Sequence, residues 1–188
     1  MSSHLILLGP STAGKTSLMI GLSQTESSYD FTFDRIWTTR TRRPNEGDEE
    51  NVFVNQEGFD EKRGEFLFPF KTFPSYEYGI KKQKPLADRE LRMRSLMPVF
   101  ALKFRQMVSA PTIFCSVGSF TETPEQIIRS RDPNIEPEDL EQRLQRFYKD
   151  SISAQEVSDI HFQNSEGLVE AVMELHTILI NYVSKMNL

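Results

Sequence analysis

Near its start the chain carries Gly9-Pro10-Ser11-Thr12-Ala13-Gly14-Lys15-Thr16, which fits the spacing G-x-x-x-x-G-K-[ST] at every fixed position. Small residues at those places let the backbone curl until successive N–H groups point at one anion. A helix that starts where the loop ends adds the positive end of its dipole. In such a loop Lys15 reaches the β- and γ-phosphates of a nucleoside triphosphate, and Thr16 offers its hydroxyl to the magnesium ion that bridges them. The expected ATP-binding residues are Gly9, Ser11, Thr12, Ala13, Gly14, Lys15, Thr16 and Ser17, with Thr16 as metal ligand and ATP and Mg2+ as cofactors.

The flanks suit that chemistry. Leu5, Ile6, Leu7 and Leu8 read as a short buried strand, and Leu18, Met19 and Leu22 share one side of a helix that begins at about Lys15. From 34 to about 78 the pattern changes to short β-like pieces at 36–39, 52–54 and 66–68 around a polar run at 44–50, which reads as an inserted β subdomain. A helical segment is expected around 89–107 and a strand over 112–117. Thr123, Pro124 and Glu125 then supply the N-cap, first position and acidic first turn of another helix. Pro137 opens a further helix, in which Leu140, Leu144 and Phe147 fall at helical spacing and Arg143 and Arg146 lie three apart. A last strand at 159–163 precedes an amphipathic helix marked by Leu168, Val172, Leu175, Leu179, Val183 and Met186, whose apolar side reads as core-packing.

With 188 residues, 38% hydrophobic and 26% charged, the chain has the size and composition of one folded domain, and no repeat or linker-like run divides it. Its apolar start is far shorter than the roughly 20 residues of a membrane-spanning helix and lacks the basic flank of a signal peptide. A cytoplasmic protein with no membrane partner is expected. The single cysteine, Cys115, excludes an intramolecular disulfide and a thiolate zinc site, suits a reducing compartment, and reads as a small core residue. A formal charge of −5 lacks the broad positive field of a nucleic-acid binder, so positive charge must act locally. His161 and His176 fall in strand and helix patterns and read as packing or surface residues.

Taken in order, these motifs resemble the guanylate kinase family. Members carry, after the loop, a Thr-Thr-Arg block, a Phe-Val segment, a Phe-Leu-Glu segment and a Tyr-Gly. The counterparts here are Thr38-Thr39-Arg40 through Glu46, Phe53-Val54, Glu65-Phe66-Leu67 and Tyr78-Gly79. The resemblance continues more weakly through Pro124 to the arginines at 129 and 131, through Arg143-Leu144, and to Asn164. It implies an α/β P-loop NTPase fold of three layers with a parallel core sheet, an inserted β-rich acceptor-binding subdomain and a small helical lid. The implied division is core 1–33, 81–126 and 148–188, subdomain 34–80 and lid 127–147.

By the same resemblance, Arg40, Arg43 and Tyr78 hold the phosphate of an acceptor, with Asn51 where a second tyrosine would stand. Arg129 and Asn164 join the ATP-binding set, while Lys15, Arg131 and Arg143 act on the transferring phosphoryl group as catalytic residues. Read without the family, Arg40, Arg42 and Arg43 are a solvated turn paired with the acidic run at 46–50 before they are a nucleic-acid patch. The departures are one-sided. Where the family reads guanine through polar side chains, this chain has Ile36, Phe68 and Ile80, with Pro98 at the place of a central-strand aspartate. Phe100 falls near the second aspartate of an Asp-x-Asp that helps organise magnesium. Guanine donors left unpaired cost about 1–3 kcal/mol each, so two losses weaken binding by roughly a hundredfold.

The reading is an ATP-dependent phosphotransferase, a P-loop kinase, acting on a small phosphorylated acceptor. The apolar changes favour another nucleotide or a sugar phosphate over GMP. Alternatives are an enzyme like those that phosphorylate ribose 1,5-bisphosphate, and a catalytically weak module that binds nucleotide or phosphopeptide. No nucleic-acid partner is expected, and the chain is expected to be a monomer or homodimer.

Overall fold

The computed structural model describes residues 2–10, 13–42, 46–72, 76–82, 84–119, 123–164 and 167–186, apart from the side chains of residues 119 and 131. Ser11, Thr12 and Arg43, and the side chain of Arg131, therefore lie outside the described residues.

The first sheet contains β1 (Ser3–Leu8), β2 (Asp30–Phe33), β7 (Glu90–Ser95), β8 (Thr112–Ser119) and β9 (Ile160–Asn164), in the order β2-β7-β1-β8-β9. Every pairing in it is parallel. Side chains alternate across a strand. Leu5 and Leu7 accordingly pack with α1 (Lys15–Ser23) and α6 (Leu168–Met186), through Leu18, Met19, Leu22, Leu175, Leu179 and Val183. Ile6 and Leu8 turn to the opposite face, toward Ala101 and Phe104 of α3 (Pro98–Met107) and Ala154 of α5 (Pro137–Val157). Both faces of β1 are buried, which is why Leu5 to Leu8 form an unbroken apolar run rather than an alternating one. Each such side chain contributes about 1.5–3 kcal/mol of burial. Cys115 belongs to the first of these cores, and burial pushes its thiol up to about 12.

The second sheet is mixed, in the order β4-β3-β6-β5. Strand β3 (Ile36–Thr38) runs parallel to β4 (Asn51–Phe53) and antiparallel to β6 (Glu77–Lys81), which pairs with β5 (Phe66–Lys71). Helix α2 (Gln56–Lys62), capped by the Asn55 side chain at 2.9 Å from the Gly58 N–H, lies between β4 and β5 in the chain. Helix α4 (Pro124–Arg131) starts with Thr123 as N-cap in a capping box with Gln126. With α5 it buries a small cluster of Ile128, Ile135 and Leu140.

Two expectations are corrected. The segment 89–107 is a strand followed by a helix, because Leu91 and Met93 alternate with Arg92 and Arg94 at a strand's period. Strand β7 ends at Ser95, so Pro98 and Phe100 are not strand positions: Pro98 is the first residue of α3 and Phe100 lies within it. The expected lid boundaries at 126/127 and 147/148 fall inside α4 and α5, which run on without a break.

Candidate functional site

The phosphate loop leaves β1 at the carboxyl end of the parallel sheet, where ligands of open α/β sheets bind. Two glycines fix its course. Gly9 has φ +132, and a Cβ there would stand 2.4 Å from the carbonyl oxygen of Val117 on β8. Gly14 has φ +76, and its Cβ would stand 2.9 Å from Nδ2 of Asn164 at the end of β9. Both conformations strain any other residue. Gly14 is also the N-cap of α1, and it caps with no side-chain hydrogen bond, while the first turn contains no acidic residue. The amides and dipole of α1 are thus left for an external anion.

Lys15 Nζ donates to the carbonyls of Gly9 at 3.0 Å and Pro10 at 2.6 Å, arching over the loop it would share with a phosphate. Ala13 is wholly buried, and Ser17 is exposed on the first turn of α1. Thr16 donates its hydroxyl to Oε2 of Glu50 at 2.6 Å. Asp150 on α5 feels the charges of Arg146 and Lys15, yet burial is the larger influence and raises its carboxyl above the usual range.

At the second sheet, Arg40 is ion-paired with Glu46 at 2.5 Å and donates to the carbonyl of Thr41 at 2.9 Å. Burial opposes its charge, but Glu46 and the Tyr78 hydroxyl outweigh that and raise its pKa. Arg40 and Tyr78 are therefore brought together. Tyr78 stacks on Phe70 with centroids 5.4 Å apart, and Phe70 meets Phe100 at 4.2 Å. Asn51 is buried, with its amide 3.4 Å from Glu46.

Ile36, Phe68 and Ile80 do not form an open pocket. They are 5%, 4% and 0% exposed, lie side by side in the strand register, and join Phe104 and Phe114 in the core. Their apolar character, expected to shape an acceptor pocket, is spent on fixing the second sheet to α3. Beneath them Arg94, 1% exposed, is ion-paired with Asp34 and lies 4.5 Å from the Phe104 ring centroid. Burial lowers its guanidinium to about 9, which leaves it charged at neutral pH.

The lid arginines are engaged locally. Arg129 pairs with Glu125 at 2.8 Å and Arg143 with Asp132 at 3.2 Å, all four side chains being well exposed. Between this lid and the loop lies a cavity of about 560 Å³, bordered by Pro10, Gly118, Thr123, Phe147, Tyr148 and Ile152. Among the described residues no helix is long and apolar enough to cross a membrane.

Sequence reasoning missed Glu50, which it assigned to the arginine turn with the rest of the acidic run. It also missed Asp34 and Arg94, whose pairing across 60 positions leaves no local pattern.

A parallel sheet flanked by helices on both faces, with a glycine-bounded phosphate loop at the end of its central strand, defines the P-loop α/β class. No family model matches the chain. Over 191 residues it is 29% identical to the guanylate kinase of Hydrogenovibrio crunogenus, a match that covers 95% of this chain and 87% of the relative. The crystal structure of guanylate kinase from Anaplasma phagocytophilum shares its fold, with a TM-score of 0.62 at 19% identity, covering 97% of this chain and 85% of that one. In sequence the chain is thus similar to a guanylate kinase, and in fold to the structure of another.

Proposed function

We propose that the chain is an ATP-dependent phosphotransferase that moves a γ-phosphoryl group onto a small acceptor held by its phosphate and not by hydrogen bonds to guanine. The observation that carries this reading is the contrast within one sheet. Arg40 and Tyr78 stay in contact, while Ile36, Phe68 and Ile80 close on one another as core.

In this reading the loop amides and Lys15 hold the nucleotide's phosphates, as preorganised donors aimed at charge that grows during transfer. Thr16 would hold magnesium, which supplies charge neutralisation between the β- and γ-phosphates. The Thr16 hydroxyl fits that task, since it is exposed at the loop and already oriented by a carboxylate. Arg40, Tyr78 and Arg43 orient the acceptor. Arg129 and Arg143 exchange local partners for phosphate oxygens, because exposed ion pairs are worth only about 0–1 kcal/mol, and Arg131 acts beside them on the same group. Asn164 packs the end of β9 against the loop. Such transfer depends on position and charge more than on a base, so His161 and His176 are not required.

The favoured acceptors are a nucleotide other than GMP and a sugar phosphate, including a sugar bisphosphate. The relative named guanylate kinase supports GMP as a second reading. A panel of nucleoside monophosphates and ribose 1,5-bisphosphate, supplied with ATP and Mg2+ and followed by ADP release, separates them. Turnover is expected with an acceptor other than GMP, and Lys15→Ala should weaken ADP binding by about 10–100-fold by calorimetry, the loss of one charge-assisted contact. A kcat/KM for GMP of about 10⁴–10⁸ M⁻¹s⁻¹ would return the guanylate reading. ADP binding without turnover on any acceptor would leave a nucleotide-binding module.

A further inference from the structure

The acidic run before β4 divides its carboxylates between two places. Glu46 takes Arg40 at 2.5 Å, and Asp48 takes Arg42. Glu50 takes neither. Its Oε2 accepts a hydrogen bond of 2.6 Å from the Thr16 hydroxyl, 34 residues earlier in the first turn of α1. The backbone of Glu50 is anchored as well, its carbonyl accepting from the N–H of Ile36 at 2.9 Å where β3 begins. The second sheet thus delivers one carboxylate to the hydroxyl that the loop motif assigns to magnesium.

We propose that Glu50 is a positioning residue of the magnesium site, acting through Thr16. The inference rests on the phosphotransferase reading above. A hydroxyl that ligates a cation gives it a lone pair and keeps its proton, and that proton needs an acceptor. Glu50 is the acceptor. With the proton turned toward Glu50, the lone pairs of Oγ1 face away from it, and the carboxylate adds negative charge close to the cation. Magnesium demands near-octahedral geometry at about 2.0–2.1 Å and keeps few protein ligands, so the orientation of one hydroxyl weighs heavily. Among the described residues no group of three or more His, Cys, Asp or Glu could hold a metal ion. The cation therefore depends on phosphate oxygens, on Thr16, and on whatever orients Thr16. Partners that orient a ligand in this way typically contribute 10–100-fold to metal affinity.

The test is ADP binding to the full chain by calorimetry, with and without Mg2+, in wild type, Glu50→Ala and Glu50→Gln. The quantity read is the ratio of the two dissociation constants. Mg2+ should tighten ADP binding by the wild type, and Glu50→Ala should reduce that tightening by about tenfold or more. Glu50→Gln keeps an acceptor for the Thr16 proton but loses the charge, and should fall between. Metal-free ADP affinity should stay within about twofold in all three, as for a surface substitution. With Mn2+ in place of Mg2+, the electron paramagnetic resonance spectrum of the bound Mn–ADP complex should change in Glu50→Ala. An equal ratio in wild type and Glu50→Ala overturns the proposal, as does a wild type indifferent to Mg2+. A gain in metal-free affinity on removing Glu50 also overturns it, since the carboxylate would then be occupying the phosphate's place. Failure of the wild type to bind ADP at all is a different result: it removes the phosphotransferase reading, and this inference with it.

Discussion

The phosphate loop and the second sheet are built from residues of equal promise in the sequence, yet they meet different fates in the fold. At the loop, every described position keeps a geometry suited to an anion: two glycines at positive φ, a helix start without a side-chain cap, and a lysine arched over backbone carbonyls. At the second sheet polar and apolar positions part company. Arg40 and Tyr78 remain joined, while the three positions behind them are sealed into the core. Phosphate recognition needs a few local donors, whereas reading a base needs a cavity, and a cavity survives only if large side chains do not fill it. Ile36, Phe68 and Ile80 are packed as core.

That contrast is most exposed to test at Phe68. Its ring is 4% exposed, lies 5.9 Å from that of Phe70, and has the Lys103 ammonium 4.7 Å from its centroid. If it is core, Phe68→Ala should cost about 3–5 kcal/mol, through lost burial plus the cavity left behind. Urea unfolding measures this directly. A loss below about 1 kcal/mol would be typical of a surface position and would mean that Phe68 lines an open acceptor pocket after all.

A smaller effect separates the two regions by pH. His4 on β1 is 2% exposed, and burial, helped by Arg94 and Arg92, lowers its pKa from 6.5 to about 4. The unfolded chain takes the proton first on acidification, so this contribution is complete above pH 6.5 and lost between 6.5 and 4, amounting to about 3 kcal/mol in all and about 2 by pH 5. In the second sheet, Glu77 is held below its ordinary 4.5 by hydrogen bonds from Arg63 and Gln56. Its contribution is full above pH 4.5 and lost only below that. Between pH 7.5 and 5 the chain should lose stability through β1 and not through β6. His4→Leu should flatten that loss in urea titrations, and Glu77→Gln should leave it in place. A wild type equally stable at both pH values would show that His4 reaches solvent.

What was legible follows the same division between local and distant determinants. The loop, the Thr123–Pro124 start of α4 and the apolar stripe of α6 are each set by residues a few positions apart, and each is read from the sequence as it folds. The strand β7 is not. Leu91 and Met93 alternate with two arginines, and arginine in a central strand reads as an exposed helical charge unless its partner is known. The partner is Asp34, which lies beyond β2 and before β3, and only the fold brings the two together. The misread strand carried a second error with it, since Pro98 and Phe100 were measured against a strand that ends at Ser95. Glu50 was hidden by company: in a run of like charges nothing marks the one carboxylate that crosses to Thr16.

The smallest expected effect concerns the lid, whose arginines lack the burial of the second sheet. Arg143 meets Asp132 at 3.2 Å, with side chains 51% and 40% exposed. A charge pair so open to water gains little, because solvent screens the attraction and two long side chains must give up rotamers to hold it. A double-mutant cycle of Arg143→Ala and Asp132→Asn, read by urea unfolding, should give a coupling of no more than about 0.5 kcal/mol. The small number is informative. It would mean that Arg143 can leave Asp132 for a phosphate at almost no cost, as a residue recruited during transfer must. A coupling above about 2 kcal/mol would lie outside the range of exposed pairs. It would show instead that Asp132 fixes Arg143 as part of the lid's own structure, and the phosphoryl group would then have to be met by Arg129 or Arg131.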